Sequence, residues 1–432
     1  MTEITEPVYP LSQAQFNRAL MTGHGRALIH AERCGTESVR EDILDAALFP
    51  RVYDPQCNGH GEAWLARLCE AAGLVESLIS QDHGIAGDLE LRCELLKEFA
   101  LQGHAAPRAE LRKLCCYDEE QEWLPAAGEI VEVDGEDGFL FAADRAGEAL
   151  LKHPGYWGST YLASQLDEKV GQGRAMALMD RESRGNPNIA AFRDAVLKDK
   201  HAKEERKKRP DPALDEVLGL ILGSVKSVYN LRRAGERAAK DERKLVAALN
   251  FPEMDSIALQ NYLGFFQNTG FPELWEEHLA LLRHPEKDVR WHAHATMSNH
   301  AEPELRQAAY ETLVRGDVTH FVMLLKRLGR REDMEPLLEA ISSPGSFTDD
   351  DDLHSAVLWL LDLMVDNRRM RDRRLPLWVY ENSPCRRCRH SAVKQMAQRS
   401  ILPQWVAAEC SSDADEDTRE IAAEHLGVRR IF

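Results

Sequence analysis

Cys385, Cys388 and His390 lie within six residues of one another in the stretch ENSPCRRCRHSAVKQM. Thiolate sulfur and imidazole nitrogen are the donors of zinc sites, and a Cys-x-x-Cys spacing lets two sulfurs meet one ion or each other. A structural zinc site takes four protein ligands. The other cysteines, at 34, 57, 69, 93, 115, 116 and 410, form no second Cys-x-x-Cys. The same residues also spell a helix start, with Ser383 as the N-cap and Pro384 at the first helical position. Cys385, Cys388 and His390 are therefore candidate metal or redox residues, and no cofactor is assigned from them.

A second concentration of imidazoles is LLRHPEKDVRWHAHATMSNH, with His284, His292, His294 and His300 inside seventeen residues. On a helix, positions two apart project about 200° from each other, so His292 and His294 face opposite ways. The His-x-x-x-His spacing that sets two imidazoles on one face is absent from the chain. These histidines are expected to be structural. A third group is cationic: Arg368, Arg369, Arg371, Arg373 and Arg374 in DNRRMRDRR could grip a phosphate backbone. Nothing in the chain spells a serine elbow, a zinc-protease helix, a kinase set or a phosphate loop, so no catalytic residue is assigned and a non-enzyme is expected.

The elements that must position these residues are helical. Apolar residues recur at helical spacing over ten to fifteen positions, then a Gly, Pro or Asp break follows, as in PALDEVLGLILGSVKSVYNL and FPELWEEHLALLRH. One segment alternates instead. In GEIVEVDGEDGFLFAAD, Ile130, Val131 and Val133 precede an Asp-Gly-Glu-Asp-Gly turn, and Phe139, Leu140 and Phe141 follow it, which predicts a small β-hairpin near 128–143. The charged stretch 197–212 separates an N-terminal helical region, 1–196, from a C-terminal region, 213–432.

Self-similarity supplies a ruler. LLKHPGYWGST begins at Leu150 and LLRHPEKDVRW at Leu281, 131 residues on; DTREIAAEHLG at Asp417 matches DVRWHAHATMS at Asp288, 129 residues earlier. Both offsets suggest three units of about 43–44 residues. HPEKDVRWHAHA resembles the second helix of HEAT repeats: Pro285 in the turn, Asp288 as the cap, Val289 inward, Arg290, and a small Ala293 for close packing. That resemblance implies an all-α superhelix (a HEAT-like solenoid) in which Arg290 and Arg419 reach a neighbouring repeat's loop Asp. One enzyme of that family builds a di-iron site from His-Glu dipeptides, and this chain has none.

A solenoid offers a long concave surface. The expected function is a non-catalytic scaffold that binds a protein partner, with Trp157, Arg290, Trp291 and Trp378 as anchors. Nucleic-acid contact through the arginines, and a metal- or redox-active cysteine pair, are the alternatives. The charge balance of 54 Lys and Arg against 72 Asp and Glu, net −18, opposes nonspecific attraction to nucleic acid or anionic lipid. No basic-then-apolar leader opens the chain, no apolar run reaches the roughly 18–20 residues of a membrane helix, and nine cysteines is an odd number. A reducing cytoplasm without membrane attachment is the expected setting.

Overall fold

The structure is a computed structural model that describes residues 4–54, 59, 61–80, 87–120, 122–153, 156, 158–207 and 211–427. Among them are 25 α-helices and no β-strand. No described helix is long and apolar enough to cross a membrane. The chain divides into two compact units, Met1–Glu6 with Pro210–Val406, and Pro7–Arg209 with Ala407–Phe432.

The expected β-hairpin is absent. Residues Ala127–Lys152 are helical, interrupted only at Gly135, whose φ of 60° and ψ of −125° only glycine adopts readily. The Asp-Gly signal does bend the chain, but as a kink within a helix. The bend is tight enough that a Cβ on Gly138 would lie 2.2 Å from the Ile130 carbonyl oxygen. What overrides the short alternation is the longer period after it: Phe139, Ala142, Ala143, Ala146 and Ala149 are all buried, at helical spacing. This helix packs on Pro187–Lys207 and Tyr161–Val170. Gly147 permits the contact, since a Cβ there would lie 1.8 Å from the Asn188 carbonyl oxygen. The charged stretch that begins at 197 continues the helix Pro187–Lys207, and Lys208 to Pro210 lie outside the described residues.

Within the unit that includes Pro210–Val406, six helices pack in series: α1 (Val228–Arg237), α2 (Ser256–Phe266), α3 (Lys287–Met297), α4 (Val318–Leu325), α5 (Asp350–Asp366) and α6 (Arg386–Gln398), each against the next. Their starts at 228, 256, 287, 318, 350 and 386 advance by 28 to 36 residues. Within this unit the helix-to-helix step is therefore shorter than the expected 43–44 residues. The repeat register itself is visible in side-chain contacts. Arg290 Nη1 donates to the carbonyls of His284 and Pro285, both at 2.7 Å. Arg419 Nη1 does the same to Asp413 and Ala414, at 2.8 and 3.0 Å. Each arginine closes its own preceding turn, rather than reaching a neighbour's Asp. Asp288 lies inside the first turn of α3 and pairs with Lys226; the cap position is Glu286.

Consecutive helices are joined by side chains that reach back one repeat. Asn261 Nδ2 donates to the carbonyls of Leu220 and Val225 at 3.0 and 2.9 Å, and its Oδ1 accepts from Ser227 N at 2.7 Å. Thr296 Oγ1 donates to Leu263 O, Asn299 Nδ2 to Gln267 O, Asn367 Nδ2 to Lys326 O and Gln395 Nε2 to Leu361 O. Several of these acceptors sit at or near helix C-termini, where carbonyls lack intrahelical partners. In the other unit, the segment that begins at Ala407 is tied to the N-terminal helices by backbone and side-chain bonds. Ala414 N donates to Gly23 O, Trp64 Nε1 donates to Ser412 O, and Glu409 accepts from Arg26.

Asn261 is fully buried and satisfies three backbone groups, so its removal orphans all three. Asn261→Ala is expected to lower unfolding stability by about 3 kcal/mol. Asn268→Ala, at an exposed position, should change it by less than about 0.5 kcal/mol. Denaturant titration of both variants checks this, and equal losses would count against the role assigned to Asn261.

Candidate functional site

The cysteine pair meets a histidine that the sequence motif does not include. Cys385 is the N-cap of α6 and Cys388 lies one turn inside it. His354 stands in the first turns of α5, the helix packed against α6. The ligand atoms of His354, Cys385 and Cys388 all lie within 4.8 Å of one another, and His390 is not in the group. Both cysteines are buried and His354 is half-buried. Ser383 shapes the turn ahead of them: its Oγ accepts from Cys385 N at 3.1 Å and donates to Cys385 O at 3.0 Å. The Cys385 thiol is held well below its ordinary value, first by the hydrogen bond from Cys388 and then by the backbone amides at the start of α6 and by His354. Cys388 moves upward as the donor of that bond and through burial. Two hydrogen-bonded thiols at a helix start are a chemistry suited to a metal ion or to oxidation.

The four histidines of LLRHPEKDVRWHAHATMSNH do not converge. His284 is in the turn before α3. His292 donates from Nδ1 to Gln267 Oε1 at 3.3 Å, and His294 from Nδ1 to Arg290 O at 2.8 Å. His300 Nε2 accepts from Phe271 N at 2.9 Å. His294 stacks on His320 with ring centroids 3.9 Å apart, and their Nε2 atoms, both buried, meet no hydrogen-bond partner among the described residues. His278, outside that stretch, accepts from Trp275 N at Nδ1, bonds Tyr262 at Nε2, and lies on Phe271 with centroids 3.8 Å apart. Burial drives the basicity of these rings down: His294 to about 3, with His320 adding to it; His292 to about 4, helped by Lys226 and Arg232; and His278 to about 4. They are neutral hydrogen-bonding and stacking elements.

The expected anchors fare unevenly. Trp157 lies outside the described residues. Trp378 is buried, so it cannot serve as an exposed anchor: it falls on the inward face of Arg374–Asn382, near Phe347. Arg290 is committed to its turn. Trp291 is half-buried and lines an open groove of about 490 Å³ together with Lys226, Val228, Tyr229, Arg232, Asp288 and His292. Beside that groove, Leu222, Val225 and Tyr229 are 58, 70 and 67% exposed. Spacing rules did not single out these three, because a surface and a core apolar residue look alike at helical period.

The arginine run separates into two kinds. Arg374 is spent on Asp372 and Glu335, at 2.5 and 2.6 Å. Arg368, Arg369, Arg371 and Arg373 are exposed. Burial, and then Arg368 and Arg371, push the basicity of Arg399 down. Arg373 and Arg374 also border a cleft of about 850 Å³ with Leu377 and Trp405, which carries the acids Glu6, Glu335 and Asp372 as well.

The depressed histidines set a pH dependence. Their folded values lie below the usual 6.5, so below that pH the unfolded chain takes up protons that the folded chain refuses. Stability is complete above pH 6.5 and falls as pH drops toward about 4. The melting temperature is expected to fall by at least about 5 °C between pH 7 and pH 5. Calorimetry over that range checks this, and a flat profile would contradict it. The chain matches no protein-family model, no curated protein and no solved structure.

Proposed function

We propose that this chain is a non-catalytic helical-repeat scaffold, a HEAT-like solenoid in the unit that includes Pro210–Val406, and that it binds a protein partner beside α1. The observation that carries this is the exposed apolar surface of Leu222, Val225 and Tyr229, next to the groove at Trp291. Large apolar side chains more than half exposed and close together are what interaction sites supply. Cations rim the patch: Arg232 lines the groove, where Lys226 is paired with Asp288, and the guanidinium of Arg233 lies 5.6 Å from the Tyr229 ring centre. The complementary partner is a segment with apolar anchors and acidic flanks. The serial packing of α1 to α6, with steps of 28 to 36 residues, supports the repeat reading.

The test is recovery of one stoichiometric partner with the tagged full chain, compared with Val225→Asp and Tyr229→Ala. Both variants are expected to melt like the wild type and to weaken the complex by at least about tenfold. A partner retained equally by both would remove this surface from the proposal.

A second reading, nucleic-acid contact, is favoured by the exposed Arg368, Arg369, Arg371 and Arg373 and by their effect on Arg399. It predicts binding of a labelled single-stranded oligonucleotide at low salt. In Arg368→Glu with Arg371→Glu, the salt dependence of log K should become shallower by about 1–2. No binding at low salt would exclude it.

A further inference from the structure

The helices α5 and α6 carry a second, independent feature that the scaffold reading does not use. His354 is the fifth residue of α5, while Cys385 and Cys388 are the cap and third residue of α6. Their one nitrogen and two sulfurs form the only group of three such donors found within 4.8 Å among the described residues. We infer that His354, Cys385 and Cys388 bind a single zinc ion, which fastens the beginning of α5 to the beginning of α6.

Four arguments support zinc. Tetrahedral zinc with Zn–S near 2.3 Å and Zn–N near 2.0 Å holds its ligand atoms about 3.5–3.8 Å apart, so the three atoms need to close by about 1.3 Å at most. Two soft thiolates and an imidazole match zinc by donor type, not magnesium or calcium. Two thiolates also neutralise a divalent cation, with the thiol protons leaving to solvent and no oxidant or reductant required.

Burial is the fourth argument, and it separates metal binding from disulfide exchange. Exchange with another protein needs a sulfur that the partner's disulfide can reach, whereas Cys385 and Cys388 are only 4 and 3% exposed. A bare ion is small enough to enter past the half-buried His354. At the opposite end of the same helix pair, Gln395 bonds Leu361 O and Arg399 bonds the carbonyls of Met364 and Met370. The metal thus completes a two-ended clamp. Three protein ligands leave the fourth position to water or an outside donor.

The test uses the full-length chain purified under a non-thiol reductant and dialysed against metal-free buffer. Elemental analysis is expected to find about one zinc per chain. Cobalt added to the stripped protein should give thiolate-to-cobalt charge transfer and the intense visible bands of a tetrahedral site. Cys385→Ser and Cys388→Ser should each weaken the charge transfer and the double variant abolish it. His354→Ala should keep the charge transfer but bind at least about tenfold more weakly. Cys34→Ser and His390→Ala should behave like the wild type.

Less than about a tenth of a zinc per chain, with no charge transfer on cobalt addition to the wild type, overturns the inference whatever the variants do. Charge transfer that survives the double cysteine variant, with circular dichroism showing it folded, overturns it equally. Neither readout depends on a binding partner, so the zinc site and the scaffold surface fail separately.

Discussion

Satisfying the carbonyls near helix ends constrains the helices of the unit Pro210–Val406 as a series. An α-helix leaves its last four carbonyl oxygens without intrahelical partners, and burying such a group unpaired is expensive. Here the following repeat supplies several of the donors. Thr296 reaches Leu263, Asn299 reaches Gln267 and Asn367 reaches Lys326, across separations of 32 to 41 residues. Each bond sets both the distance and the register between two consecutive helices. Polar side chains at these positions are therefore as structural as the leucines beside them.

Close approach follows from the same constraint. Gly235 and Gly264 bring α1 and α2 together so tightly that a Cβ on Gly235 would lie 1.8 Å from Phe265 O, and one on Gly264 would lie 2.9 Å from Val228 Cγ1. Ala293 and Ala295 are fully buried on α3. Histidine suits such a setting because a neutral imidazole donates at one nitrogen and accepts at the other, while stacking like a small aromatic. His278 does all three, and burial keeps it neutral. Density of imidazoles in this chain signals tight polar packing, not a shared ion.

Helical period and Gly, Pro and Asp punctuation were legible in the sequence, and so the all-helical class was too. The β-hairpin misreading at 128–143 shows where local alternation loses: Ile130 and Val131 alternate poorly, and Phe139 to Ala149 carry a longer period that decides the conformation. The arginine equivalence of Arg290 and Arg419 was also legible, because both sit at the same place in a recurring phrase. Their partners were not, since carbonyl acceptors leave no mark on the sequence. The helix-to-helix step of 28 to 36 residues within Pro210–Val406 was not legible, because two distant copies of a phrase fix only a product of step and number.

The period explains why one of the three residues of the candidate metal centre was invisible. A search along the chain finds donors at contiguous spacing, and so it joined Cys385 and Cys388 to His390, two residues on. In a stack whose helices advance by 28 to 36 residues, the neighbours of position 385 include positions about one step earlier. His354 is 31 residues before Cys385, and it is His354 that the structure places beside the sulfurs. The same step relates Asn299 to Gln267 and Gln395 to Leu361. In this architecture the repeat length is the proper spacing for a motif, and a ligand set read at that spacing draws on both of two stacked helices.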